Sequence, residues 1–128
     1  MKVICLANSG DALSPRHFDV GYTASSVFHI TVDKEYVVYG VAMWRTLLSY
    51  LIVTNGRPVW CPAELFKVTD PKIPEDWYFQ FFSQNEEDWL NAVWGYQELI
   101  DPQHYDELAN LEDNALAIFE ARMKELGT

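Results

Sequence analysis

Basic residues are scarce in this chain: nine Lys and Arg stand against nineteen Asp and Glu, a formal charge of −10 at pH 7 over 128 residues. Nucleic acid is held by a Lys/Arg footprint that is missing here, and an anionic membrane surface would repel the chain. Cysteine is scarcer still. Cys5 and Cys61 cannot supply a disulfide framework, and both lie in apolar, strand-like stretches that read as sites for buried, inert thiols. The six glycines are scattered, with neither the Gly-x-Gly-x-x-Gly nor the Gly-x-x-x-x-Gly-Lys-Ser/Thr pattern that cradles phosphate. No Gly-x-Ser-x-Gly elbow occurs. The three histidines, His17, His29 and His104, make no His-x₃-His or His-Glu-x-x-His pair, and the cysteines no Cys-x₂-Cys, so neither a metal nor a cofactor is expected. The apolar run from Val3 to Ala7 is too short for a signal-peptide core, and no run approaches membrane-spanning length. The expected compartment is the cytoplasm.

The charge that is present is unevenly placed. Residues 1–62 carry four acids and five bases, whereas residues 63–128 carry fifteen acids and four bases, Lys67, Lys72, Arg122 and Lys124. Between Asp70 and Glu120 the single base is Lys72, against thirteen carboxylates. A one-signed field on half of a small protein attracts a basic partner and raises the rate of encounter. Five Trp, seven Tyr and seven Phe suit a pleated core, and aromatic anchors also concentrate at interfaces.

Residues 1–82 read as short strands: Met1–Ala7, Val27–Val32, Glu35–Trp44 with a bend at Gly40, Leu47–Val53, Pro58–Cys61, Phe66–Thr69 and Trp77–Phe82. Asn55-Gly56 between two apolar runs specifies a type I′ hairpin turn. Residues 8–26 form a long loop, the kind of segment that often carries function, and Pro62–Leu65 reads as a single 3₁₀ turn. From Ser83 the period changes. Ser83 and Glu86 match a capping box, and Trp89, Leu90, Val93, Trp94 and Leu99 recur at helical spacing, so an amphipathic helix is expected over 84–100. Asp101-Pro102 starts a second helix as N-cap and N1. Its stripe runs from Tyr105 to Leu126 and ends at Gly127, with Asn110–Asn114 able to break it in two. The expectation is an α+β fold: a small SH3-like β-barrel or bent antiparallel sheet over 1–82, with a C-terminal helical extension, 83–128, packed on it as one domain.

Candidate chemistry is thin. His17 lies two residues before Asp19 in the long loop, where a carboxylate can orient an imidazole. A Cys61–His17 dyad stays open, since such partners meet only in space. Adjacent carboxylates such as Glu75-Asp76 and Glu112-Asp113 read as solvated or capping groups.

The stretch Lys34-Glu35-Tyr36-x-Val38-Tyr39-Gly40, Tyr50-Leu51-Ile52, Pro58-x-Trp60-x-Pro62-x-x-Leu65-Phe66-x-Val68-x-Asp70 and Pro74-x-x-Trp77-x-Phe79 resembles small bacterial cytoplasmic proteins with SH3-like barrels, among them immunity proteins of contact-dependent growth-inhibition and related toxin systems. The likeness covers residues 27–82 and consists mostly of core positions, so no functional residue transfers with it. It implies an SH3-like fold and an immunity role. With the acidic surface and the lack of a catalytic motif, the expectation is a monomeric, non-enzymatic immunity protein that occludes the active site of a cognate basic toxin, a nuclease. The partner-binding residues expected from the acid distribution are Asp70, Glu75, Asp76, Glu86, Glu87 and Asp88, with Trp77 and Trp89 as anchors. The alternatives are an adaptor or regulatory module using an aromatic groove at Tyr36, Tyr39 and Trp60, and an enzyme of unrecognised type using His17 and Asp19.

Overall fold

A computed structural model describes residues 1–85 and 89–125 of the chain. Eight strands and two helices follow in the order β1 (Lys2–Cys5), β2 (Glu35–Val37), β3 (Gly40–Trp44), β4 (Leu47–Thr54), β5 (Arg57–Pro62), β6 (Phe66–Asp70), β7 (Tyr78–Phe81), β8 (Ala92–Gly95), α1 (Pro102–Ala109) and α2 (Asp113–Glu125). The strands make two antiparallel sheets, β2-β1-β6 and β5-β4-β3-β8-β7. The fold is α+β with bent sheets and no closed barrel. The barrel half of the expectation gives way to an open five-stranded sheet that keeps two edges.

Register assigns each face of that sheet. Tyr50, Val41, Trp94 and Phe79 lie opposite one another across β4, β3, β8 and β7, and Leu48, Met43, Ala92 and Phe81 form the next row on the same face. This face meets the small sheet. Val3, Tyr36, Val38, Val41, Tyr50, Ile52, Cys61 and Phe66 share one core, in which the Tyr50 ring meets Phe66 edge-on at 5.9 Å. The opposite face, carrying Ala42, Leu51 and Val93, meets Tyr105 and Leu108 of α1 and Ala115 and Phe119 of α2 in a second core. There Phe119 stands edge-on to Tyr39 at 5.5 Å.

Local chemistry accounts for most of these elements. Asn55 (φ 53°) and Gly56 (φ 72°) adopt the left-handed pair that a two-residue hairpin turn requires between β4 and β5. Asp101 accepts the Gln103 amide at 2.9 Å and starts α1 with Pro102 at N1. Helix α1 ends at Ala109 and α2 begins at Asp113, so the Asn110–Asn114 cluster does divide the expected long helix. The end of that helix at Gly127 lies outside the described residues.

Two expected elements are corrected. Val27–Val32 is not a strand: apart from an isolated bridge between Ser9 and Val27 it is irregular, and it seats Phe28 and Ile30 in the first core with Leu13 and Tyr22 of the long loop. The helix expected over 84–100 is replaced by β8 and a 3₁₀ turn, Gln97–Ile100. Residues 92–95 occupy the slot between β3 and β7, where each side chain must go to one sheet face or the other. Val93 and Trp94 serve the two faces in turn, and a period of two displaces the helical reading. Gly40 and Gly95 are paired across β3 and β8 beneath Leu99, and a Cβ on either would lie 2.4 or 2.5 Å from Leu99 Cδ2. Gly40 therefore serves close approach at the start of β3.

Candidate functional site

The described members of the expected contact set fall at the two ends of β7. At its start, Glu75 and Asp76 are exposed and Trp77 is half-buried, while Asp70 closes β6 with its Oδ1 accepting the Lys72 amide at 3.0 Å. Beyond its other end, Trp89 is 60% exposed, with its ring 5.2 Å from the Trp44 ring and the Arg45 guanidinium 5.2 Å from its centroid. Glu86, Glu87 and Asp88 lie outside the described residues, as does the Glu86 half of the capping box. Four residues of strand span about 14 Å, so β7 separates the Trp77 and Trp89 groups rather than merging them.

β7 itself was expected only as an apolar strand. Among the described residues it is the end strand of the five-stranded sheet, paired with β8 alone, and Tyr78, Phe79 and Phe81 are each about half exposed at 48%, 51% and 49%. An exposed aromatic edge is a pairing hazard unless something covers it. Beside it, Met1, Val41, Leu48, Tyr50, Ile73, Trp77 and Trp94 line an apolar cavity of about 300 Å³. Trp77 also walls a smaller groove with Asp76, Tyr78 and Arg122, and its Nε1 is buried with no hydrogen-bond partner. The alternating Phe79 and Phe81 were visible in sequence; that their strand is an edge depends on pairings distant in the chain.

The turn between β3 and β4 is strained. Arg45 (φ 48°) and Thr46 (φ 64°) both hold left-handed backbone, which is unfavourable for a β-branched residue. Two side chains hold it: Asn91 Oδ1 accepts the Thr46 amide at 2.7 Å, and Arg16 donates to the Arg45 carbonyl at 3.0 Å and to the Thr46 hydroxyl.

Among the described acids of the C-terminal half, Glu64, Glu98 and Glu125 have a basic partner and others do not. Arg122 forms a two-pronged contact with Glu98, at 2.9 and 3.0 Å, and also reaches Glu125; this guanidinium holds the Glu98 carboxyl below its ordinary range. Glu75, Asp76, Asp106, Glu112, Asp113 and Glu120 are exposed and have no ion pair within 4 Å among the described residues.

The candidate chemistry of the long loop is rearranged. His17 is buried and turns its Nδ1 to Glu64 at 2.9 Å, with Ser14 Oγ 3.2 Å from the same nitrogen and donating to Glu64 at 2.6 Å. Asp19 is exposed and is not the orienting carboxylate. A nucleophile–base–acid relay needs hydroxyl and carboxylate on opposite ring nitrogens. Here both lie on Nδ1, and Nε2 is buried without a partner. The cluster ties the loop to the turn before β6. Burial pushes the Cys61 thiol up to about 12 and also raises Cys5, which keeps both protonated and poorly nucleophilic. Tyr36 belongs to the first core and Tyr39 to the second, with Trp60 packed against the second, so these three rings do not share a groove.

Among the described residues no group of three His, Cys, Asp or Glu is placed to hold a metal ion, and no helix is long and apolar enough to cross a membrane. Comparison with protein families, curated proteins and solved structures finds no match to the chain.

Proposed function

We propose that this chain is an immunity protein that binds a cognate basic toxin domain, a nuclease, and occludes its active site. The observation that carries this reading is acid without an ion pair: among the described residues Glu75, Asp76, Asp106, Glu112, Asp113 and Glu120 are exposed with no ion-pair partner within 4 Å, on a chain of net charge −10. A nuclease cleft that binds phosphate backbone is basic. An acidic partner is drawn to that cleft and fills it, and the attraction chiefly speeds capture. Fast capture is what protection of a producing cell demands. The resemblance over residues 27–82 points the same way. Binding, rather than turnover, is also favoured by the protonated thiols and the one-sided His17 cluster.

The test is co-expression with the C-terminal domain of the protein encoded immediately upstream. Under this reading the domain alone arrests growth, the chain restores it, and the two co-purify. Arrest without rescue or complex would contradict the reading.

A further inference from the structure

We propose that the basic partner docks on the β7 edge and on the apolar strip beside it, pairing an extended segment with β7 and placing apolar side chains over the Trp77 cavity. This rests on the immunity reading and gives it a surface.

The strip exists because the small sheet covers only part of the face it packs on. In the row Tyr50, Val41, Trp94, Phe79, the first two side chains are buried, while Phe79 is 51% exposed. In the next row Leu48 is 37% and Phe81 49% exposed, and Ile73 in the β6–β7 connection is 53% exposed. Leu48 and Ile73 line the cavity and the Phe79 ring lies 4.8 Å from that of Trp94 in its wall, which carries no charged side chain. An added strand places alternate side chains on this face while its backbone satisfies the free edge. The paired strand covers the edge with Phe79 and Phe81, and the chain leading from it past Trp77 and Ile73 turns over the cavity.

Charge selects the occupant. The rim at the start of β7 carries Asp70, Glu75 and Asp76 against Lys72. Lys2, opposite Asp70, is paired with Glu35, and Arg122, in the groove beside Asp76, is held by Glu98 and Glu125. The acids outnumber the bases even with the Met1 α-amino group at the cavity, so cations flanking the apolar anchors are favoured. A second copy of this chain would bring another ten negative charges to the contact, and an anionic lipid surface is repelled. Buried apolar anchors ringed by complementary charge are the usual anatomy of a tight interface.

The experiment measures binding of the chain to the purified upstream-encoded domain by surface plasmon resonance, with a Phe81→Ser/Ile73→Ser variant and a Glu112→Lys/Glu120→Lys variant. Both positions of the first pair are exposed, and an unchanged thermal midpoint checks that the variant is folded. The expected result is about a 100-fold weaker complex for the first pair, through faster dissociation. The helix pair should slow association a few-fold and leave dissociation unchanged. Wild-type dissociation in Phe81→Ser/Ile73→Ser would overturn the docking surface and leave the immunity reading standing. No complex with the wild-type chain would remove both. Sedimentation of the chain alone as a dimer that this variant converts to monomer would overturn the proposal by making a second copy the occupant.

Discussion

Asn91 holds Thr46 in a backbone conformation that threonine disfavours. The Asn91 Oδ1 accepts the Thr46 amide at 2.7 Å, its Nδ2 donates to the Asn85 carbonyl at 2.9 Å, and its own amide donates to the Met43 carbonyl at 2.8 Å. Asn91 is 1% exposed, so its own polar atoms depend on these partners rather than on water. One buried amide therefore joins the strained β3–β4 turn to the segment between β7 and β8.

Replacing Asn91 by Ala removes both side-chain bonds and strands the Thr46 amide. The expected cost is about 2–4 kcal/mol, read as a lower urea midpoint. Near-UV circular dichroism of the Trp44–Trp89 pair should weaken as well. A loss under 0.5 kcal/mol would show that the turn is held by Arg16 alone.

Gly40→Ala tests the close approach of Leu99. The added methyl group has no room unless Leu99 moves, and overpacking of this kind costs about 1–3 kcal/mol. The double variant Gly40→Ala/Leu99→Ala should lose less than the sum of its single changes. Strict additivity would contradict the contact.

Acid should destabilise the fold in two stages. Burial lowers the His104 pKa below its ordinary 6.5, and the Tyr96 hydroxyl lies 2.7 Å from its Nε2. The unfolded chain thus gains this proton first as pH falls, and stability drops from about pH 6.5 downward. Glu98 has a folded pKa lowered chiefly by its Arg122 bond. Its contribution is present above the ordinary value of 4.5 and is lost as pH falls below it. Thermal midpoints against pH should fall less steeply in His104→Gln between pH 6.5 and 5, and less steeply in Glu98→Gln below 4.5. Parallel curves for either variant and the wild type would refute the assignment.

The thiols give a probe of unfolding. With Cys61 pushed up to about 12 and Cys5 raised by burial, neither should react with Ellman's reagent in the native state at pH 8. Both should react on unfolding in urea. Rapid native labelling would contradict their burial.

The legible parts of the fold were those fixed by neighbours in sequence. Asn55-Gly56 specifies its own turn and so places β4 and β5, and Asp101-Pro102 begins α1 where it should. The segment 84–100 misled because Trp89, Leu90, Val93 and Trp94 satisfy a helical period. Which of them is buried is decided by pairing of 92–95 with β3, distant in the chain, and with β7. The acids at Glu75 and Asp76 were legible because charge needs no fold to be counted. The strip at Leu48, Ile73, Phe79 and Phe81 was not. Its members look like core residues until strand order shows which faces stay open. His17 was singled out with the wrong carboxylate, since Glu64 meets it only through the packing of the long loop on the turn before β6.

The proposed capture of a basic protein by the acid of the C-terminal half is tested most directly by the association rate of the chain with the purified upstream-encoded domain between 0.05 and 0.5 M sodium chloride. Rapid association that slows by about 10-fold or more over this range, with dissociation nearly constant, is the predicted result. An association rate indifferent to salt would contradict it.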